Sequence, residues 1–452
     1  MPRHVKLVAP LGSIALAGLT ACSSLEPQDA PEEVFAKTSW QHRPAWAKQP
    51  PGQQWWTSYG SAALNADINR ALAQNPSLAV LAARVEKAGA LTKQARAASY
   101  PTINAGGGLQ TGRAQDPDFG PYDLQPYTAR GQISWEVDLT GKLAAARRSA
   151  EDSLRAAFWD LTAARLLVAT ELADAHFTLG RLNEEIALQR RIVGTYEGAL
   201  ANLRRQQQAG IVRSAETRTA EAEVARAQRD LLDLQRLASL TQLKRATLRG
   251  ETSSTPISGS LPGKTPAFTR STADVLRHRP DLLAAEARVR AAFELSESAR
   301  LNLLPSFSLG AGAMGGTSSL TNRFNVWQAQ VGPSLDIPIY DPVRLAQVDV
   351  RRAETKEASA QYRDVALKAF EEVEGAYLTL TTRQNQLAQV DREVQALESA
   401  LGDAKAQRSA GTYSDLEVLA AERRLLQARR ARTGVKHQKL AAHLALVRAL
   451  GG

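Results

Sequence analysis

At 452 residues, with 56 lysines and arginines against 46 aspartates and glutamates and a formal net charge of +10, the chain has the length of two or three globular domains or of fewer, very long elements. Its basic and acidic residues are interleaved along helical stretches, the pattern of solvated helix faces, so the charge implies no nucleic-acid surface. One cysteine, Cys22, excludes an internal disulfide.

Residues 1–21 carry Arg3 and Lys6 and then a short apolar run through Leu11, Ile14, Leu16 and Leu19. Pro10 interrupts the run, which falls short of the about 20 apolar residues of a spanning helix, so it reads as a removable signal peptide. It ends in Leu19-Thr20-Ala21-Cys22, similar to the lipobox of bacterial lipoproteins, and that likeness implies a covalent lipid on Cys22. Ser23 stands where an aspartate implies inner-membrane retention in such lipoproteins, so the outer membrane is the expected destination. Residues 22–60 form an N-terminal arm, which Trp55-Trp56 is expected to staple to the helices.

From there the chain repeats itself. Asn75-Pro76-Ser77-Leu78 and Arg279-Pro280-Asp281-Leu282 lie 204 residues apart, as do Pro101 and Pro305, and Ala83-Arg84-Val85 aligns with Ala287-Arg288-Val289 without a gap. Two copies of one unit, residues 61–250 and 271–452, are therefore expected side by side, joined by a Ser/Thr/Pro/Gly-rich linker at 251–270. Each copy predicts a helix (64–98, then 272–303), two strands (within 101–139, then 305–340) and a long helical hairpin (141–249, then 343–450). Pro101 and Pro305 mark the switch from helix to strand.

The strands alternate with period two. Tyr127, Ala129, Ile133, Trp135 and Val137 alternate with Thr128, Arg130, Gln132, Ser134 and Glu136, and Ile103, Ala105 and Leu109 with Asn104 and Gln110. In the second copy Phe307, Leu309, Ala311 and Ala313 alternate with Ser308, Gly310 and Gly312, and Trp327, Ala329, Val331, Leu335, Ile337 and Ile339 with Gln328, Gln330, Ser334 and Asp336. One apolar and one hydrophilic face over ~9–11 residues is the pattern of a membrane β-barrel. Four strands close no barrel with a lumen, and open edges are not tolerated in lipid, so several chains must pool their strands.

The long helices carry a heptad seam, with Phe158, Val168, Leu172, Leu179, Ile186, Tyr196 and Leu203 in the first copy and Phe370, Val373, Tyr377, Leu380, Leu387, Val390, Val394, Leu397 and Leu401 in the second, where the register slips near Gln384. The stretch 141–208 predicts a rod of roughly 100 Å, the depth of a periplasm rather than of a globular domain. Each hairpin turns at a glycine, in Ala209-Gly210-Ile211-Val212 and Ala410-Gly411-Thr412-Tyr413.

With Trp55-Trp56, Leu64, Ala71, Asn75 and Leu78, the string Arg279-Pro280-Asp281-Leu282-Leu283-Ala284-Ala285-Glu286, Pro305-Ser306-Phe307-Ser308-Leu309 and the tip 411–419, the whole mature chain resembles the TolC-like outer-membrane factors, and within them the NodT-type lipoproteins of resistance-nodulation-division pumps. The resemblance implies a membrane α+β fold: a homotrimer whose four strands per chain form an outer-membrane β-barrel, continued by a periplasmic α-helical barrel of coiled-coil hairpins. It implies a passive exit duct for small toxic molecules, delivered by an inner-membrane pump through a periplasmic adaptor. The adaptor would dock at the tips, Gly210, Ile211, Val212, Gly411, Thr412 and Tyr413, and Asp415 and Glu417 would contribute to an acidic gate ring. Where the family often has a further acid one helical turn on, this chain has Ala420.

Enzymatic chemistry has no foothold. Gly259-Ser260-Leu261-Pro262-Gly263-Lys264-Thr265 is one residue short of a phosphate-binding loop and is followed by Pro266. The six histidines, His4, His42, His176, His278, His437 and His443, have no metal-ligand spacing and read as surface or seam residues. No metal, resident cofactor or nucleic acid is expected. The competing readings are the outer component of a protein-secretion system, on the same fold, and a structural helical lipoprotein tether, against which the alternating strands argue.

Overall fold

The computed structural model describes residues 40–43, 52–109, 112–116, 120–123, 127–253, 261–263, 265–317 and 326–452. Cys22, the signal segment, most of the arm and, within the linker, residues 254–260 and 264 lie outside the described residues, and with them Gly259, Ser260 and Lys264 of the near phosphate-binding loop.

After a short turn at Trp55–Tyr59 the chain forms α1 (Ala62–Gln74) and α2 (Pro76–Ala97), then β1 (Thr102–Leu109), β2 (Arg113–Asp116), β3 (Gly120–Asp123) and β4 (Tyr127–Val137), then the long pair α3 (Lys142–Gln208) and α4 (Ser214–Leu248). The second half repeats the scheme with α5 (Thr272–His278), α6 (Pro280–Leu301), β5 (Ser306–Thr317), β6 (Val326–Asp336), α7 (Pro342–Ser409) and α8 (Asp415–Ala449).

The single helices predicted over 64–98 and 272–303 are each two helices. Asn75 and Arg279 are extended, with ψ of 122° and 120°. The proline that follows each has no N–H to give and crowds a helical conformation in the residue before it, yet suits the first position of the next helix. Asn75 then serves as the cap of α2, its Oδ1 accepting from the N–H groups of Ser77 (2.8 Å) and Leu78 (3.2 Å).

The main sheet is antiparallel, in the order β1-β4-β5-β6. Its register carries the sequence parity across both copies: Gly106, Arg130, Met314 and Gln328 stand in one row, and Ala105, Gly131, Ala313 and Ala329 in the next. Residues opposite one another share a face, so every even position lies on the hydrophilic face and every odd one on the apolar face. Two details differ from the sequence reading. A small β2–β3 hairpin interrupts the first pair of strands, its four-residue strands being too short to show a period. The last strand stops at Asp336, although the alternation runs on through Ile337 and Ile339.

Helix order mirrors strand order. Next to the sheet, α2 lies against α3, α3 against α6 and α6 against α7; further along, α4 lies against α3, α3 against α8 and α8 against α7. The rod α3 therefore changes neighbours along its length. Near the sheet its Ser149 Oγ donates to Ala291 O (2.8 Å) on α6, whereas further down Gln189 Nε2 donates to Ala227 O (2.9 Å) on α4. The seam follows the change: Leu161, Val168, Leu172, Leu179, Leu182 and Gln189 are buried, and Phe158 and Arg165 are exposed.

The main core lies where α1, α2 and α5 meet the long helices. Trp55, Trp56 and Tyr59 enter it beside Leu64, Ile68, Leu172, Phe177, Tyr377 and Leu446, so the tryptophans staple rather than recognise. Upstream, Trp40 Nε1 donates to Arg270 O (2.7 Å) while its ring lies on Phe370, 4.8 Å between centroids. Not every histidine is a surface or seam residue. His443 is fully buried, its Nδ1 2.6 Å from the Tyr59 hydroxyl, and burial pushes its pKa down to about 4, so the imidazole is neutral in the fold. Among the described residues no helix is long and apolar enough to cross a membrane.

Candidate functional site

Three regions position the chemistry: the waist where the repeats meet, the hairpin tips and the two-faced sheet. At the waist, each return helix ends against the residue that precedes the repeat proline. Asn75 Nδ2 donates to Leu248 O (2.7 Å), and Arg279 Nη1 donates to Ala449 O (3.0 Å). These are carbonyls left over at helix C-termini, where an N–H donor is needed. Arg279 is buried and also binds Asp281 (3.0 and 2.6 Å) and Glu372 (2.8 Å). The Arg-Pro-Asp string is thus a structural joint. In the first copy Asp67 plays the corresponding part, accepting from Arg245 (2.5 and 2.8 Å) and Arg249 (2.8 Å). Burial alone would raise the Asp67 pKa; the two guanidiniums outweigh it and hold the carboxyl below the usual range.

The tips are two helix terminations of one type. Ile211 N–H reaches Gln206 O (2.8 Å) and Thr412 N–H reaches Gln407 O (2.9 Å), each folding back over a glycine, with φ of 71° at Gly210 and 78° at Gly411. A side chain disfavours that left-handed conformation, which is why glycine sits at both turns. Ile211 and Tyr413 are exposed, Thr412 is held by its own hydroxyl on Gln407 O (2.9 Å), and Val212 is half-buried.

The two acids proposed for the gate are both exposed and both locally engaged. Asp415 Oδ1 accepts from Arg408 Nε at 2.6 Å, and that hydrogen bond holds its carboxyl below the usual range, with Arg205 of the neighbouring rod adding a weaker pull. Glu417 forms a capping box: its carboxylate accepts from the Ser414 N–H (2.6 Å) and hydroxyl (2.9 Å). The Ser-x-x-Glu spacing announces the box in the sequence; nothing there announced Arg408. Among the described residues no cluster of His, Cys, Asp and Glu has the makings of a metal site.

The sheet is the third region. Its odd face exposes Ile103, Leu109, Ile133, Trp135, Trp327, Val331 and Leu335, an apolar patch far beyond the scattered apolar residues of a soluble surface. Among the described residues, no strand pairs with the outer edge of β1 or of β6.

A family model described as "Outer membrane efflux protein" matches residues 68–247 and again 272–452. The chain belongs to that family. This efflux protein is 30% identical over 473 residues to the pyoverdine export outer membrane protein OpmQ of Pseudomonas putida, covering all of this chain and 98% of that one. It is 27% identical to the toluene efflux pump outer membrane protein TtgF of Pseudomonas putida, covering 97% of this chain and 95% of the relative. Among solved structures, the outer-membrane channel OprN shares the fold with a TM-score of 0.80 at 24% identity, over 94% of this chain and 98% of that one. The efflux protein is therefore an outer-membrane channel, of a family whose members are ducts rather than enzymes, span from the outer membrane into the periplasm and work with an adaptor and an inner-membrane pump in tripartite systems.

Proposed function

We propose that three copies of this chain pool their sheets into one closed barrel of about 12 strands, in which β6 of each copy pairs with β1 of the next, and that the helical hairpins close beneath it into a periplasmic α-barrel. The observation that carries the proposal is the sheet itself: one apolar face, one hydrophilic face and two outer edges with which no strand of the described residues pairs. Such edges leave backbone N–H and C=O groups bare, which costs several kcal/mol each in hydrocarbon, and closure onto further copies removes them. Exposed leucines on the outer rods, Leu232, Leu240 and Leu243 of α4 and Leu367 and Leu378 of α7, supply apolar surface for the same association below the sheet.

In this reading residues 1–21 are removed, Cys22 carries the lipid that tethers the arm 22–60, and the repeats 61–250 and 271–452, joined by the linker 251–270, each contribute two strands and one hairpin. The tips at Gly210, Ile211, Val212, Gly411, Thr412 and Tyr413 dock a periplasmic adaptor, the partner pump is of the resistance-nodulation-division type, and the cargo is a small toxic molecule that the pump selects. Detergent-solubilised protein is expected to run as a trimer and to pass discrete single-channel currents in planar bilayers. A monomer that stays in solution without detergent, or a protein that passes no current, sinks the duct; a tether behaves in the second way.

The gate belongs to the same proposal. Three copies of Asp415 and Glu417 around the narrow end would repel one another unless paired or bridged by a cation, and the Arg408–Asp415 pair supplies one such neutralising contact within each chain. Asp415→Ala and Glu417→Ala are expected to raise single-channel current and lower cation preference. Unchanged current and selectivity in both proteins would remove the acidic ring.

A further inference from the structure

The four-stranded sheet holds three charged residues in all, Arg130, Glu136 and Asp336, and all three are at even positions on its hydrophilic face. Two are neutralised where the strands meet the rods: Glu136 pairs with Lys142 (2.6 Å) and Asp336 with Arg344 (3.0 Å). Arg130 is different. It is exposed, no carboxylate of the described residues lies within ion-pair reach of it, and its row neighbours Gly106, Met314 and Gln328 are uncharged. Glu136 is six residues away along β4, about 20 Å at ~3.3 Å per residue. That is more than two screening lengths of about 8 Å at physiological salt, so the base of the sheet leaves the charge of Arg130 uncompensated.

The face is also cleared around it. A Cβ on Gly106 would stand 3.3 Å from Arg130 Nε and 3.7 Å from its Cγ, and one on Gly108 would meet Thr128 Oγ1 at 3.1 Å. The guanidinium therefore lies along the sheet in the space that a side chain at position 106 would take. In the next row on that face Gly312 stands between Gln132 and Gln330, and in the row beyond it Gly310 and Gly332 stand beside Ser134, so no charged side chain enters either. A planar guanidinium with several N–H donors, on a wall of glycine and amide side chains, suits carboxylates, phosphates and sulfonates.

We infer that Arg130 is a specificity-determining residue of the duct: three symmetry-related guanidiniums form an anion-attracting ring near the loop end of the barrel, favouring passage of cargo that bears a carboxylate, phosphate or sulfonate. The inference rests on the trimeric duct proposed above. Lining charge raises the local concentration of counter-ions and so sets which ion carries the current.

The test is the reversal potential of the wild-type trimer in planar bilayers under a tenfold KCl gradient, against Arg130→Gln, Arg130→Glu and Gln328→Lys, which adds a cation in the same row. The chloride-to-potassium permeability ratio is expected to fall about threefold in Arg130→Gln and further, about tenfold, in Arg130→Glu, and to rise in Gln328→Lys. Block of the current by citrate added on the barrel side, and not on the tip side, is expected in the wild type and lost in Arg130→Glu. Conducting trimers whose permeability ratio is the same in all four proteins would overturn the ring and leave the duct standing. A wild type that passes no current would overturn the duct and the ring with it.

Discussion

Val331→Arg is expected to abolish insertion and trimer formation, while Gln330→Arg, one residue away, leaves both intact. Val331 lies on the odd face of β6 and is 86% exposed in the single chain, so in the proposed barrel it points into hydrocarbon. An arginine there costs about 2–4 kcal/mol near the bilayer midplane, and three-fold symmetry imposes that cost three times per assembly. Gln330 stands on the opposite face in the row of Gln132 and Gly312, where a charge keeps its water. Heat-stable trimer on a denaturing gel and recovery in the outer-membrane fraction measure the difference. Equal behaviour of the two proteins would mean that the faces are assigned wrongly.

Asp67→Ala is expected to be the most damaging change at the waist. Arg245 and Arg249 are both buried and both spend hydrogen bonds on Asp67; removing the carboxylate takes away the anion they share, a change worth about 3–5 kcal/mol for a broken buried pair. Arg249 keeps Glu251 as a partner, which moderates the loss without restoring the bidentate contact to Arg245. Thermal unfolding followed by circular dichroism in detergent checks the size. The pH dependence has a definite sign: because the folded-state pKa of Asp67 is depressed, its contribution is fully present above the unfolded value near 3.9 and is lost as the pH falls through the folded one. Acid below about pH 4 should therefore destabilise the native protein more than Asp67→Asn, whose side chain has no proton to take up there.

What the sequence disclosed follows from how strongly each feature repeats. The strand faces were legible because parity is a property of every residue, and the ladder from Thr102↔Ser134 to Ser306↔Asp336 keeps it without a slip. The rods were legible from the seam at Leu161, Val168, Leu172 and Leu179. The breaks at Asn75 and Arg279 were missed, although Pro76 and Pro280 stood in the repeat itself, because the apolar period of Leu64, Ile68, Ala71 and Leu78 runs on across the interruption. The burial of His443 was hidden for a different reason. Its partner Tyr59 is 384 residues distant, and no local period reports so remote a contact. Arg130 was read as one polar residue in an alternating strand; that among the described residues it alone on its face has no carboxylate within ion-pair reach emerges only once Lys142 and Arg344 are seen to claim Glu136 and Asp336.

The matched order of strands and rods has a mechanical corollary. Of the main strands, β4 continues into the rod α3 and β6 into α7, and the paired rods have nearly equal lengths, 67 and 68 residues outward and 35 and 35 on return. One residue of helix is about 1.5 Å, so the two outward rods differ in reach by less than the width of an atom. Neither half can be lengthened by itself without breaking that match: the chain behaves as a vernier, in which any change of reach must be made twice.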